Sequence, residues 1–273
     1  MIIRSFFYAL LSLSLALPLV LSPEVVRAAE AKAAEVQKTA AAAELKCEFA
    51  KEVSALRSAE SNSNKEEVLK TTSTTASAVE DPLEVRRELL VKIINCALGE
   101  TESLKTGIKK VSLTSKDAEH LAAVLLERID VVSNKYESSK TRAGSADEKG
   151  LREVAREVAA ARKDLYLPLW DMSRAYVVWN TNRELVERAG KRVEEVKQTL
   201  LARKISDQGA IADLTERASV SFLRSKEADH RAFQSIERFE RDNVLTYFKE
   251  TLDHLHGVYQ SLLSISGAVR NIR

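Results

Sequence analysis

A single long helix is indicated by the spacing of apolar residues between positions 151 and 200. Apolar or small side chains recur there at alternating intervals of three and four, which places them along one side of an α-helix and is typical of helices that wrap around each other. Only Pro168 and Asn182 interrupt the series. At 1.5 Å per residue this helix would be roughly 80 Å long, so we predict an elongated molecule. The series consists of Leu151, Val154, Val158, Ala161, Leu165, Met172, Ala175, Trp179, Val186, Ala189, Val193, Val196 and Leu200.

The ends of the helices are also marked. Asp81-Pro82-Leu83-Glu84 supplies a capping acceptor, a proline for the first helical position and a nearby glutamate. Residues 145–148 repeat this signal directly after Gly144. Because no segment of useful length alternates like a β-strand, the predicted fold class is all-α. The expected helices cover residues 30–58, 82–111, 115–142, 147–204 and 207–269, with a register slip in the last one near Asn243.

Short turns predict how these helices are arranged. The turns at 143–146 and 204–207 span a few residues each, so the flanking helices should run antiparallel. If the break at 112–114 does not reverse the chain, 82–111 continues beside 176–204, which gives an elongated antiparallel three- to four-helix bundle or coiled-coil rod. A reversal at 112–114 would give a shorter four- or five-helix bundle instead. We favour the rod.

The first 28 residues have the organisation of a secretory signal peptide. A positive charge at Arg4 precedes an apolar run from Ser5 to Leu21, and Val26-Arg27-Ala28 resembles a cleavage site. The predicted segment is either cleaved or retained as an N-terminal membrane anchor. An Ala-rich helix is then predicted at 29–60, a Ser/Thr-rich linker at 61–81, and a helical bundle with a long antiparallel coiled-coil hairpin at 82–273. The protein is therefore expected to be exported to the periplasm, the cell surface or the medium.

The two cysteines, Cys47 and Cys96, are predicted to form a disulfide, because exported proteins use cysteine mainly in this way. The bond would close a loop of about 50 residues and would stabilise the fold by about 4 kcal/mol. Two separate buried thiols are the alternative.

Composition and motifs exclude several function classes. Lys and Arg number 42 and Asp and Glu number 40, with the two signs interspersed, so no basic nucleic-acid surface is expected. Signature sequences for hydrolases, metalloproteases and phosphate-binding loops are missing. His254 and His256 point apart on a helix, and Glu227-Ala228-Asp229-His230 is a single Glu-x-x-His match where a di-metal bundle needs two. We therefore predict no enzyme activity, no metal and no cofactor.

An aromatic cluster around Pro168 is the first candidate site. Besides the main series, a second apolar stripe consists of Tyr166, Leu169, Trp170 and Val177. This stripe either packs between neighbouring helices, with a kink at Pro168, or forms an exposed patch that docks a partner.

A polar region in the middle of the last helix is the second candidate site. Ser221, Ser225 and His230 lie there, and Asn182 is expected at a matching height on the opposing helix. Such a layer either fixes the register of the helices or lines a hydrated ligand pocket.

These patterns favour a non-enzymatic, exported helical coiled-coil protein that acts as a scaffold, spacer or protein-interaction module in the cell envelope. Its expected partners are other proteins, or a second copy of the chain, bound through helix–helix packing. Contact with a membrane is expected only if the N-terminal segment is retained. The alternative is a periplasmic or otherwise extracytoplasmic helical bundle that senses a small molecule through the polar layer.

Overall fold

The computed structural model describes residues 81–113, 115–206 and 209–270. Within these ranges all regular structure is helical and no β-strand occurs, so the all-α prediction is confirmed for them. The helices are α1 (Pro82–Lys109), α2 (Lys116–Ser145), α3 (Glu148–Ala161), α4 (Leu167–Ala202), α5 (Gly209–Glu237) and α6 (Arg241–Arg270), and a π-helical turn, Arg162–Tyr166, joins α3 to α4. The predicted signal segment 1–28, the Ala-rich helix 29–60, nearly all of the linker 61–81, and Cys47 lie outside the described residues.

The marked helix starts are where the sequence places them. The carboxylate of Asp81 accepts a hydrogen bond of 3.0 Å from the Leu83 amide, and Pro82 occupies the first helical position. The carboxylate of Asp147 accepts a bond of 2.8 Å from the Gly150 amide. Both acceptors satisfy amides that have no partner inside the helix, which is why the helices begin there.

The π-helical turn shifts the apolar series by one residue. Leu165, the predicted member of the series, is 37% exposed, whereas its neighbour Tyr166 is only 4% exposed. The amide of Leu167 donates to the carbonyl of Arg162, five residues earlier, and this wider turn inserts one extra residue. Pro168 follows immediately, and a proline has no amide hydrogen and clashes with the carbonyl four residues earlier in a regular helix. The wider turn accommodates it.

The predicted last helix, 207–269, is two helices. The chain turns at Phe239, which has a left-handed φ of 62°. The amide of Glu240 bonds to the carbonyl of Ser235, and the amide of Phe239 bonds to that of Ile236. This is a Schellman motif, which ends a helix. The register slip predicted near Asn243 therefore corresponds to a turn between two helices, at residues 238–240.

Two compact units divide the chain. The described part of one consists of residues 81–112 and 119–174, and that of the other consists of residues 113 and 115–118 together with 175–206 and 209–270. None of the helices in the described ranges is both long and apolar enough to cross a membrane.

In the unit built on α1, α2 and α3, interhelical ion pairs define the directions of the helices. Arg86 of α1 pairs with Glu148 at the start of α3 (2.8 Å between Nη1 and Oε1). Glu100 accepts two hydrogen bonds from Arg162, so α1 runs parallel to α3. Lys105 of α1 bonds to Asp130 of α2 at 2.6 Å.

The prediction that 82–111 continues beside 176–204 is therefore wrong. The chain reverses between α1 and α2, because Arg86 and Glu100 of α1 pair in the same order with Glu148 at the start of α3 and with Arg162 in the π-helical turn after it. The ion pair between Arg142 of α2 and Glu157 of α3 shows that these two helices run antiparallel, as their short turn predicts. A reversal at 112–114 was the alternative that the sequence left open.

The other unit packs α5 and α6 against residues 175–202 of α4. One apolar cluster is shared by all three helices, and its buried members are Val186, Ala189, Val193, Ala218, Leu255 and Val258. A second cluster lies near the end of α4 and contains Leu200, Ile211 and Ile265. Consecutive helices run antiparallel here, since Trp179 contacts Phe233 while Leu200 contacts Ile211.

Candidate functional site

The predicted docking patch is not a single exposed surface. Tyr166 and Leu169 are 4% and 2% exposed, so they belong to the interior of their unit and cannot meet a partner. Trp170 and Val177 are half-buried. Tyr166 and Leu169 thus fit the interpretation in which the stripe packs between neighbouring helices. Tyr166 points inward because the π-helical turn inserts one extra residue before it.

Trp170 is the member of this stripe that keeps an accessible aromatic ring. The guanidinium carbon of Arg174 lies 4.4 Å from the ring centroid, a cation–π arrangement. Leu167, three residues earlier on the same helix face, is 45% exposed. The two side chains form a small apolar surface within their unit.

A polar cluster lies beside this surface, around the π-helical turn. Arg162 donates to both carboxylate oxygens of Glu100 and sits over the Tyr166 ring, 5.4 Å from its centroid. The hydroxyl of Tyr136 is buried here without a hydrogen-bond partner in the described chain, and burial raises the pKa of Tyr136 to about 12. The ion pair between Arg162 and Glu100 therefore lies near a buried phenol that stays protonated.

Two of the four residues of the predicted polar layer are buried. Asn182 is 9% exposed and Ser225 is fully buried, with its hydroxyl donating to the carbonyl of Phe222. Ser221 is only half-buried and faces Gly257 of α6. His230 is exposed, and its ring bonds to Gln234 and stacks on Phe233 at the surface. Its inclusion in a buried layer was wrong, because it lies one position beyond the buried seam of α5.

Asp229, the neighbour of His230, occupies the buried position. Its side chain is 9% exposed. The indole nitrogen of the fully buried Trp179 donates to the backbone carbonyl of Asp229 at 3.2 Å, which ties α4 to α5 at this level. The Trp179 ring also packs on Phe233, with centroids 5.7 Å apart.

Arg183 is the cation of the layer. It pairs with Asp117 at the start of α2 (2.6 Å between Nη1 and Oδ2) and lies 3.6 Å from Glu187, measured from Nε to Oε1. Its guanidinium carbon is 5.3 Å from the centroid of the Trp179 ring. Arg183 thus interacts with two acids, Asp117 and Glu187, and its guanidinium also lies over the indole ring of Trp179. We call Trp179, Asn182, Arg183, Asp117 and Asp229 the Asp229 layer.

The electrostatics of this layer favour a neutral Asp229. Burial raises the pKa of Asp229 to about 6, because the ionised carboxylate loses its hydration. Arg183 opposes this shift, while Asp117 and Glu187 add to it as like charges. The side chain therefore titrates close to neutral pH, unlike an ordinary aspartate.

Two further polar atoms in this unit are buried without a hydrogen-bond partner in the described chain. They are the side-chain amide nitrogen of Asn182 and the hydroxyl of Tyr176. Burial raises the pKa of Tyr176 to about 12, so its phenol stays protonated and keeps its donor. Unpaired buried donors cost about 1–3 kcal/mol each. This part of the core therefore carries a free-energy cost that a purely apolar contact between helices does not have.

Sequence reasoning missed Asp229 as the buried acid and Arg183 as its neighbour. A signal for Asp229 was present, since residues on one face of α5 recur at intervals of seven, four, three and four through it, at Ala218, Ser225, Asp229, Ala232 and Ile236. The role of Arg183 had no local signal, because Asp117 is far from it in the chain.

Within the described ranges, no group of three or more His, Cys, Asp or Glu side chains is placed to hold a metal ion. Comparison with known proteins found no family model, curated protein or solved structure with significant similarity to the chain. The proposals below therefore rest on the residues themselves.

Proposed function

We propose that the protein is a non-enzymatic, exported scaffold or interaction protein of the cell envelope, in which the helices form a bundle that holds and presents a docking surface. The observation that carries this proposal is the pair Leu167 and Trp170, which share one helix face next to the ion pair between Arg162 and Glu100. Tryptophan is prominent among residues that dominate binding interfaces. The partner would be a protein that packs an apolar helix side against this face.

Side-by-side helix packing supports the same proposal. In each unit, apolar contacts or ion pairs link helices at several levels along their lengths. A framework of this kind holds surface residues at set positions, and this is what a spacer or adaptor requires. Export is supported by the signal-like composition of residues 1–28.

Crosslinking in the native cell, read by mass spectrometry, tests this function. We expect crosslinks from Lys163, an exposed lysine near Trp170, to peptides of one or a few envelope proteins. The variant Trp170→Ala should lose most of them. Leu223→Ala, which removes a 61% exposed leucine of α5, is the matched control and should keep them. Equal crosslinking in both variants would contradict the docking surface, and a mature chain that still begins at Met1 would contradict cleavage.

A second candidate function is binding of a small molecule in the Asp229 layer. The specific observation in its favour is the pair of unpartnered buried donors on Asn182 and Tyr176. A ligand with acceptor oxygens would satisfy them. Melting in the presence of cell metabolite fractions tests this candidate: a fraction that raises the melting temperature of the parent protein should not raise that of Asn182→Leu. If the shift persists in this variant, the layer is not the binding site.

A further inference from the structure

We propose that Asp229 is a proton-binding site that controls how tightly α4 and α5 close over Trp179. The proposal does not depend on the scaffold function. It starts from the bonding of the residue: among the described residues, the one side chain that donates a hydrogen bond to Asp229 is Trp179, and it does so to the backbone carbonyl. In the described chain, no hydrogen bond or ion pair reaches its carboxylate. A buried carboxylate without such partners is costly when it is ionised.

The charges around the layer do not compensate this cost. Arg183 and Glu187 act on Asp229 from α4, and Asp117 acts on it from the start of α2. Arg183 already makes its short contact with Asp117. Three acids therefore share one cation, which leaves the group with an excess of negative charge whenever all three are ionised.

Within the described ranges, the other helices at this level place no unpaired cation against the Asp229 carboxylate. On α6, Glu250 pairs with Arg231 of α5, and the neighbouring Thr251 is buried with its hydroxyl bonded to the carbonyl of Tyr247. On α5 itself, Lys226 and His230 are exposed at the surface. Uptake of a proton by Asp229 is the simplest way to remove the excess charge.

The bond from Trp179 connects this protonation to the helix contact. An ionised Asp229 is better hydrated when the turn of α5 that carries it moves away from α4. That movement strains the 3.2 Å bond between the indole nitrogen and the Asp229 carbonyl. A protonated Asp229 needs no counter-charge and leaves the contact closed.

Fluorescence of Trp179 reports the state of this contact. The chain has two tryptophans, so Trp170→Phe leaves Trp179 as the single emitter. In this background we would follow the emission maximum and quenching by acrylamide between pH 4.5 and 8. We expect one transition near pH 6, with Trp179 more accessible on the alkaline side. Asp229→Asn should abolish the transition and hold Trp179 at its low-pH accessibility.

Two companion variants separate Asp229 from its neighbours. His230→Gln removes the imidazole next to Asp229 that stacks on Phe233, and it should keep the transition. Asp117→Asn removes one negative charge and should move the midpoint to lower pH. The proposal is overturned if the transition survives Asp229→Asn, disappears in His230→Gln, or is missing from the parent protein. It is also overturned if the midpoint does not move in Asp117→Asn.

Discussion

At the scale of single residues, Asp229 makes the stability of the fold depend on pH. Its pKa is raised from 3.8 to about 6 in the folded protein, so the folded state binds the proton more tightly than the unfolded chain. The associated stability is fully present below pH 4 and is lost as the pH rises through 6. Asp229→Asn, which cannot ionise, should therefore be more stable than the parent protein at pH 7.5 by ~1–3 kcal/mol.

Urea unfolding at pH 4 and at pH 7.5 measures this difference. The gain of Asp229→Asn should be largest at pH 7.5 and close to zero at pH 4. Asp213→Asn, an exposed aspartate of the same helix, is the control and should change stability little at either pH. An equal gain at both pH values would show that ionisation of Asp229 is not the cause.

A second prediction at this scale concerns Gly190, which faces the ring of Phe222 across the contact between α4 and α5. A Cβ at this position would lie 2.8 Å from Cε2 of Phe222, closer than real contacts allow. Gly190→Ala should therefore destabilise the protein by ~1–3 kcal/mol, although alanine is the better helix former. Thermal unfolding measures the loss.

Two variants isolate the contact as the reason. At Gly267 of α6 a Cβ meets nothing within 4 Å, so Gly267→Ala should cost nothing. In a Phe222→Leu background, Gly190→Ala should no longer destabilise. If it still does so there, the steric explanation fails.

Residue burial was predictable where one helix keeps its regular period. Leu151, Val154 and Val158 are buried as the spacing predicts, and so are Trp179 and Val186. The spacing failed at Leu165, because an extra residue in the π-helical turn cannot be read from a pattern that assumes a constant period. Arg183 could not be assigned, since its partner Asp117 is brought to it only by tertiary packing.

At the scale of helices, starts were easier to predict than ends. Asp81 and Asp147 bond to nearby amides, so their role depends only on local sequence. The ends of α4 and α5 instead use Lys204 and Phe239 in left-handed conformations. Glycine is usual there, and neither position has one. The sequence still indicated a turn at 204–207, but at Phe239 it gave only a register slip nearby.

At the scale of helices, we predict that a glycine at position 204 stabilises the turn that ends α4. The φ of Lys204 is 56°, a conformation that costs a non-glycine residue about 1 kcal/mol. The side chain is exposed, so Lys204→Gly should stabilise the protein by up to ~1 kcal/mol. Lys249→Gly, at an exposed position inside α6, should instead destabilise it by about 1 kcal/mol. Calorimetry distinguishes the two, and a loss in both variants would contradict the role of the turn.

At the scale of the whole molecule, the order of the helices was predictable but not the direction of α1. The residues between α1 and α2 carry no turn signal as strong as that at 143–148. The reversal is enforced by pairs such as Arg86 with Glu148 and Glu100 with Arg162, each of which is 62 positions apart in the chain. Pairs so distant have no signature in a single sequence, so the sequence could not show that α1 packs along α3.

The cysteines provide the last prediction, since their bond would tie the N-terminal region to the described helices. Cys96 lies half-buried on α1, and Cys47 lies outside the described residues, so the disulfide stays a prediction. Cys96→Ser should lower the free energy of unfolding by about 4 kcal/mol. Cys47→Ser and the double variant should lose the same amount, because each lacks the same bond. Thiol labelling of the unfolded parent protein without reductant should modify neither cysteine; labelling of both, or additive losses in the double variant, would show two independent thiols.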